Sequence, residues 1–231
     1  MSKIGIIVAM EEEIRCLKEA MTIEKTENIY SSSYYQGQLS GQEVVLVQSG
    51  IGKVNATISA AVLIDRFEVS SVINTGSAGA VADNLKVGDI VLGEALVYHD
   101  ADLTAFGYGK GQMSGMPATY RADDQLLTLA QKVVEKQGQK IYCGLIASGD
   151  QFVNDSGAVA KIKENFPACL ALEMESAAIG QTCYVMDRPC LVIRSISDTA
   201  DHDAGMTFDE FVVLAGQRSA NLLIELLKEL K

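Results

Sequence analysis

Leu170-Ala-Leu-Glu-Met-Glu-Ser-Ala-Ala-Ile179 begins apolar, turns acidic at Glu173 and Glu175, and ends in small helix-forming residues. That order predicts a buried strand, a polar strand end and the start of a helix. Glu173 and Glu175 bracket Met174, and side chains two apart on a strand share one face. A lone carboxylate at a helix start is ordinarily no more than a favourable charge at the positive end of the helix dipole. Repetition gives these two more weight. Pro189-Cys-Leu-Val-Ile-Arg-Ser-Ile196 is a second apolar run and is followed by Ser197, Asp198, Thr199, Ala200 and Asp201. Lys3-Ile-Gly-Ile-Ile-Val-Ala-Met10 is a third, ending in Glu11, Glu12 and Glu13, and Val72-Ile-Asn-Thr-Gly-Ser-Ala-Gly79 a fourth, ending in small residues. In an open α/β sheet such strand ends are where ligands collect.

At 231 residues, the chain suits one α/β domain spanning residues 1–231, with no linker, repeat or low-complexity tract. Its formal net charge of −11 disfavours a nucleic-acid backbone or an anionic membrane surface as partner, and a neutral or cationic small molecule fits better. No apolar run reaches membrane-spanning length and no leader-like segment opens the chain, so a cytoplasmic protein is expected. Cys16, Cys143, Cys169, Cys183 and Cys190 are scattered without C-x-x-C spacing and read as thiols of a reducing compartment. His99 and His202 are the only histidines and do not suggest a zinc site.

Along the chain, Ile4–Ala9 reads as a strand and 10–20 as a helix that then frays into loop. Segments 34–38 and 43–48 read as a hairpin, and Ser49-Gly-Ile-Gly-Lys-Val as a tight strand-to-helix turn rather than a phosphate loop, since the third glycine and the Lys-Ser/Thr pair are missing. Strands are expected over 71–80, from Val87 towards Tyr98, and over 141–148; helices are expected through Arg66, from about Leu126 to a Gly138 cap, and around Val159, Ile162 and Phe166. Residues 99–117 form a long glycine-rich segment of the kind that is usually functional or packed on a partner. A last helix is expected from Thr207, with Glu210 completing a capping box.

The strand ends thus offer carboxylates at Glu13, Glu175 and Asp198, glycines at Gly76 and Gly79, a hydroxyl at Ser77 and a cation at Arg194. No Ser-His pair, cysteine nucleophile or metal set accompanies them. The combination suits glycosidic bond cleavage, in which one carboxylate activates water, an acid protonates the leaving group and negative charge supports a cationic sugar. Asp201 and Asp203 read as a solvated acidic turn, and Glu11 and Glu12 as helix-start charges.

Seven segments carry a resemblance to a known family: 5–14, 50–56, 74–79, Tyr98-His-Asp-Ala-Asp102, Ser148-Gly-Asp-Gln-Phe-Val-Asn154, Glu173-Met-Glu-Ser-Ala-Ala178 and Arg194-Ser-Ile-Ser-Asp-Thr-Ala200. Together they resemble the bacterial 5′-methylthioadenosine/S-adenosylhomocysteine nucleosidases over essentially the whole chain. The resemblance implies a nucleoside phosphorylase-like three-layer α/β/α sandwich with a mixed central sheet, a homodimer, no cofactor, and hydrolysis of the N9–C1′ bond to adenine and a thioribose, with 5′-deoxyadenosine a further substrate. It implies that Glu13 activates the water and Asp198 protonates adenine N7. Glu175, helped by Met174, would hold the ribose hydroxyls, with Arg194 and Ser77 near the sugar and water and Gly79 among the substrate-binding residues. Phe152 would stack on adenine while the Val153 backbone reads its edge. Met10, Ile51 and Phe208 would line the alkylthio pocket, and Leu103 and Phe106 would arrive from the partner subunit. Methionine salvage is the family's setting.

Three other readings compete, one of them a related nucleosidase acting on a modified nucleoside with a bulkier 5′-group. A phosphorylase on the same fold would need a cationic cradle for phosphate, yet the N-terminal strand ends in three glutamates. A silent nucleoside-binding protein would not need both an acid and a base.

Overall fold

The computed structural model describes residues 3–138, 140–198 and 204–230, the side chains of 204–210 lying outside that description. Asp201, His202 and Asp203 therefore lie outside the described residues, as does the Phe208 side chain. Ten strands and six α-helices alternate through them: β1 (Ile4–Val8), α1 (Glu11–Ala20), β2 (Thr22–Ile29), β3 (Ser32–Leu39), β4 (Gln42–Gln48), α2 (Lys53–Asp65), β5 (Ser71–Ala80), β6 (Ile90–Tyr98), β7 (Tyr120–Arg121), α3 (Asp124–Lys136), β8 (Ile141–Ser148), α4 (Ser156–Asn165), β9 (Cys169–Glu173), α5 (Ser176–Val185), β10 (Cys190–Asp198) and α6 (Ala204–Glu229).

The expected mixed central sheet is present, with strand order β10-β6-β8-β9-β5-β1-β4-β3-β2. β5 pairs in parallel with both β1 and β10, while β9 joins its far end antiparallel through Gly79 and Ala80. Because β10 pairs with β5 as well as β6, five of the strands form a closed circuit, so the sheet curls onto itself where an open one was expected. Strand alternation feeds the two faces. On β10, Cys190 and Val192 pack on one side with α2 and α5, and Leu191 and Ile193 pack on the other with α1, α3 and α6. A smaller cluster under α4 holds Val159, Ile162 and Phe166. Near-continuous apolar strands are what burial on both faces requires.

Three expectations change. Residues 22–29 form strand β2 rather than loop; it is the sheet's edge, and its mostly exposed Thr-Ile-Glu-Lys-Thr-Glu-Asn-Ile gave no apolar signal. α6 begins at Ala204, three residues before the expected capping box. β10 runs through Asp198 instead of stopping at Ile196.

Candidate active site

β1, β5, β9 and β10 all end at one cavity of about 350 Å³. It is lined by Met10 and Glu13 from the start of α1, Ile51 from the turn before α2, Ser77 and Gly79 from β5, Phe152 and Val153 from the loop after β8, Met174 and Glu175 before α5, and Asp198 at the end of β10. Gln151, Glu173 and Ser197 also line it and were not anticipated as lining residues.

Glu13 is the third residue of α1, where a carboxylate reaches back to unpaired amides of the helix start. Its Oε2 accepts from Ala9 N–H at 2.9 Å and Met10 N–H at 3.2 Å. Its Oε1 accepts from Ser77 N–H at 2.9 Å and the Ser77 hydroxyl at 3.0 Å. The side chain is thus fixed between β1 and β5 and only 1% exposed. Close approach here needs Gly76: a Cβ at that position would run into the Arg194 guanidinium and the Glu13 carboxylate.

Asp198 owes its place to a β-bulge. Ile196 pairs with Ala78 and Asp198 with Gly79, leaving Ser197 as an extra residue in β10. Bulges of this kind re-aim side chains beside functional sites. Asp198 is buried, and Oδ1 accepts the Ser197 hydroxyl at 2.7 Å.

The acidic pair that opened the sequence divides its work. β9 ends at Glu173, so Glu175 sits at the cap position of α5 rather than on a shared strand face. Glu173 is the interior anchor. Its Oε2 accepts from Glu175 N–H at 3.0 Å, Ser176 N–H at 2.8 Å and the Ser176 hydroxyl at 2.8 Å, and its Oε1 accepts the Ser148 hydroxyl. Arg194 does not line the cavity. It is buried behind it, donating through Nη2 to Glu173 at 2.5 Å, Asn74 at 2.6 Å and Ser176 at 2.9 Å. Glu175 is left facing the cavity, 3.7 Å from the Arg194 guanidinium and accepting Gly52 N–H at 2.9 Å. Gly52 has φ near 99°, a left-handed conformation suited to glycine, so the tight turn read from Ser49–Lys53 is what aims this amide at Glu175. Burial first, then the negative charge of Glu173, push the Glu175 carboxyl up to about 8; Arg194 and the Gly52 amide oppose the shift without cancelling it.

Leu103 and Phe106 are not brought to the cavity of their own chain. Leu103 precedes and Phe106 ends a short 3-10 turn at Thr104–Phe106, and Phe106 is 79% exposed. Among the described residues no group of His, Cys, Asp or Glu is arranged to hold a metal ion, and no helix is long and apolar enough to cross a membrane.

The family model of the phosphorylase superfamily matches residues 3–228, and the chain belongs to that superfamily. A 5′-methylthioadenosine/S-adenosylhomocysteine nucleosidase from Actinobacillus succinogenes is 47% identical over 229 residues, covering 99% of this chain and 100% of the relative. The solved S-adenosylhomocysteine nucleosidase from Streptococcus pyogenes, in complex with 5-methylthiotubericidin, superposes with a TM-score of 0.97 at 45% identity, covering 100% of this chain and 98% of that one. Futalosine hydrolase from Helicobacter pylori superposes at 0.95 with 35% identity, covering 99% and 98%. Within the superfamily, the chain belongs to the 5′-methylthioadenosine/S-adenosylhomocysteine nucleosidases.

Proposed function

We propose that this chain hydrolyses the N-glycosidic bond of 5′-methylthioadenosine and S-adenosylhomocysteine, releasing adenine and the corresponding thioribose. The observation that carries the reading is that Glu13, from the first turn of α1, and Asp198, from the end of β10, line one cavity, with Glu175 between them in the chain and facing the same space. Asp198 delivers a proton to adenine N7 as the bond to C1′ lengthens, and the leaving base departs neutral. Glu13 takes a proton from the water that attacks C1′. It already accepts four hydrogen bonds, three of them from backbone amides that cannot turn away. The Ser77 hydroxyl is the one donor free to rotate, so it yields its acceptor site to the water. Glu175 hydrogen-bonds the ribose hydroxyls, and the fraction of it that is ionised adds negative charge beside the oxocarbenium-like sugar. Phe152 stacks on adenine, the Val153 backbone reads its edge, and Met10 and Ile51 receive the alkylthio group, with Phe208 assigned to the same pocket by motif.

The cavity chemistry disfavours a phosphorylase. Among the described residues lining it there is no Lys or Arg, while Glu13, Glu173, Glu175 and Asp198 all line it. None of those described lining residues offers a phosphate dianion an opposite charge.

The active form in this reading is a homodimer in the cytoplasm. Val54 and Ile58 on α2, Tyr184 and Val185 on α5, and Phe106 are large exposed apolar side chains, as expected of a face that a second copy covers, with Leu103 and Phe106 completing the partner's site.

Chromatographic measurement of adenine release tests the substrate class. Methylthioadenosine and adenosylhomocysteine are expected to turn over with kcat/KM at least about tenfold above adenosine, because an apolar subsite gains from burying the alkylthio group and strips water from a hydroxyl. Equal use of adenosine would contradict the assignment of Met10 and Ile51.

A further inference from the structure

Two consecutive backbone amides at the start of α2 donate to carboxylates from distant parts of the chain. Gly52 N–H donates to Glu175, and Lys53 N–H donates to Asp150 Oδ1 at 2.8 Å. Gly52 has no side chain with which to cap the helix, so Asp150 supplies that function from the loop after β8. The Asp150 N–H in turn donates to Asp100 Oδ2 at 3.0 Å, and the same oxygen accepts the Lys53 ammonium at 2.6 Å. The ammonium lies 3.7 Å from Asp150 Oδ2 and 5.3 Å from the centroid of the Tyr98 ring.

Lys53, Asp100 and Asp150 are therefore each joined to both of the others. The circuit ties together the start of α2, the segment just after β6 and the first residues of the loop that carries Gln151, Phe152 and Val153. That loop has no helix or strand of its own until α4 begins at Ser156. Isolated surface ion pairs contribute little. Here the Lys53 and Asp100 side chains are only 26% and 17% exposed, and two of the links are backbone hydrogen bonds to carboxylates. None of the three residues lines the cavity, so none is a candidate for touching the reacting atoms.

We infer that Asp100, Lys53 and Asp150 are positioning residues that hold the 150–153 loop against the adenine side of the cavity. The inference rests on the assignment of Phe152 and Val153 to the base. Opening the circuit then weakens base binding in substrate and transition state alike, which raises KM and leaves kcat nearly unchanged.

The test is calorimetric binding of free adenine, with steady-state kinetics on methylthioadenosine, for the full chain and its variants. Asp100→Asn keeps the shape and removes the charge; the dissociation constant for adenine is expected to rise about tenfold, with KM following and kcat within about threefold. Lys53→Arg, which keeps the cation, is expected to retain adenine affinity within about threefold. Asp150→Asn, whose amide oxygen still accepts Lys53 N–H, supplies a second reading should Asp100→Asn fail to fold, and is expected to fall between the two. Phe152→Ala separates the layers of the argument. If it weakens adenine binding while Asp100→Asn and Asp150→Asn both stay within about twofold of the parent, the positioning circuit is overturned and the base assignment stands. If Phe152→Ala leaves adenine binding unchanged, the base assignment itself is overturned.

Discussion

Asp198→Asn is expected to reduce kcat by roughly 10²- to 10⁴-fold, the usual contribution of a positioned proton donor, while the dissociation constant of a non-hydrolysable substrate analogue stays within about threefold. Asparagine matches the aspartate in shape, so the bulge at Ser197 and the pairing with Gly79 are kept. Its amide oxygen still accepts the Ser197 hydroxyl that now reaches Oδ1. What is lost is the proton for N7, without which adenine must leave as an anion. A kcat split cleanly from binding identifies the acid. Full turnover would remove Asp198 from that role, and a parallel loss of binding would make it a structural residue.

Glu13→Gln is expected to lower kcat by a comparable roughly 10²- to 10⁴-fold, but its second effect separates it from Asp198→Asn. Both Glu13 oxygens accept from backbone N–H groups, Oε2 from Ala9 and Met10, Oε1 from Ser77. Whichever way a glutamine amide is turned, its NH2 faces at least one of these donors. Leaving a buried donor unpaired costs about 1–3 kcal/mol, and for a chain of this size each kcal/mol lowers Tm by about 2–4 °C. Differential scanning calorimetry is therefore expected to show a lower melting temperature for Glu13→Gln and a near-parental one for Asp198→Asn. Unaltered turnover in Glu13→Gln would exclude it as the base, and unaltered stability would contradict the hydrogen-bond arrangement at the start of α1.

The strands that end at the cavity were legible because burial on both faces makes them continuous apolar runs, and their polar terminations stand out. Glu13, Ser77, Glu175 and Asp198 were read from such terminations, and family motifs supplied the distinction among the roles proposed for them. Other features left no local signal. A bulge at Ser197 changes no residue type, so Asp198 read as lying beyond its strand when it is the last residue of it. Glu173 and Arg194 looked equivalent to the site residues, yet hydrogen bonds that Glu173 accepts from Ser148 and Ser176, and one that Arg194 donates to Asn74, turn them into buried support. β2 was missed because an exposed edge strand is selected for charge rather than for apolar alternation. The curl of the sheet depends on β10 pairing with two strands at once, a long-range fact that no single segment encodes. The Lys53, Asp100 and Asp150 circuit joins three separate segments and was invisible for the same reason.

Adenine release from methylthioadenosine by the purified protein, compared in phosphate-free buffer and with phosphate added, tests the central claim most directly. Hydrolysis at a cavity with no Lys or Arg among its described lining residues predicts full release without phosphate, free methylthioribose as the second product, and no acceleration on adding phosphate. Release that depends on phosphate and yields the sugar 1-phosphate would contradict it.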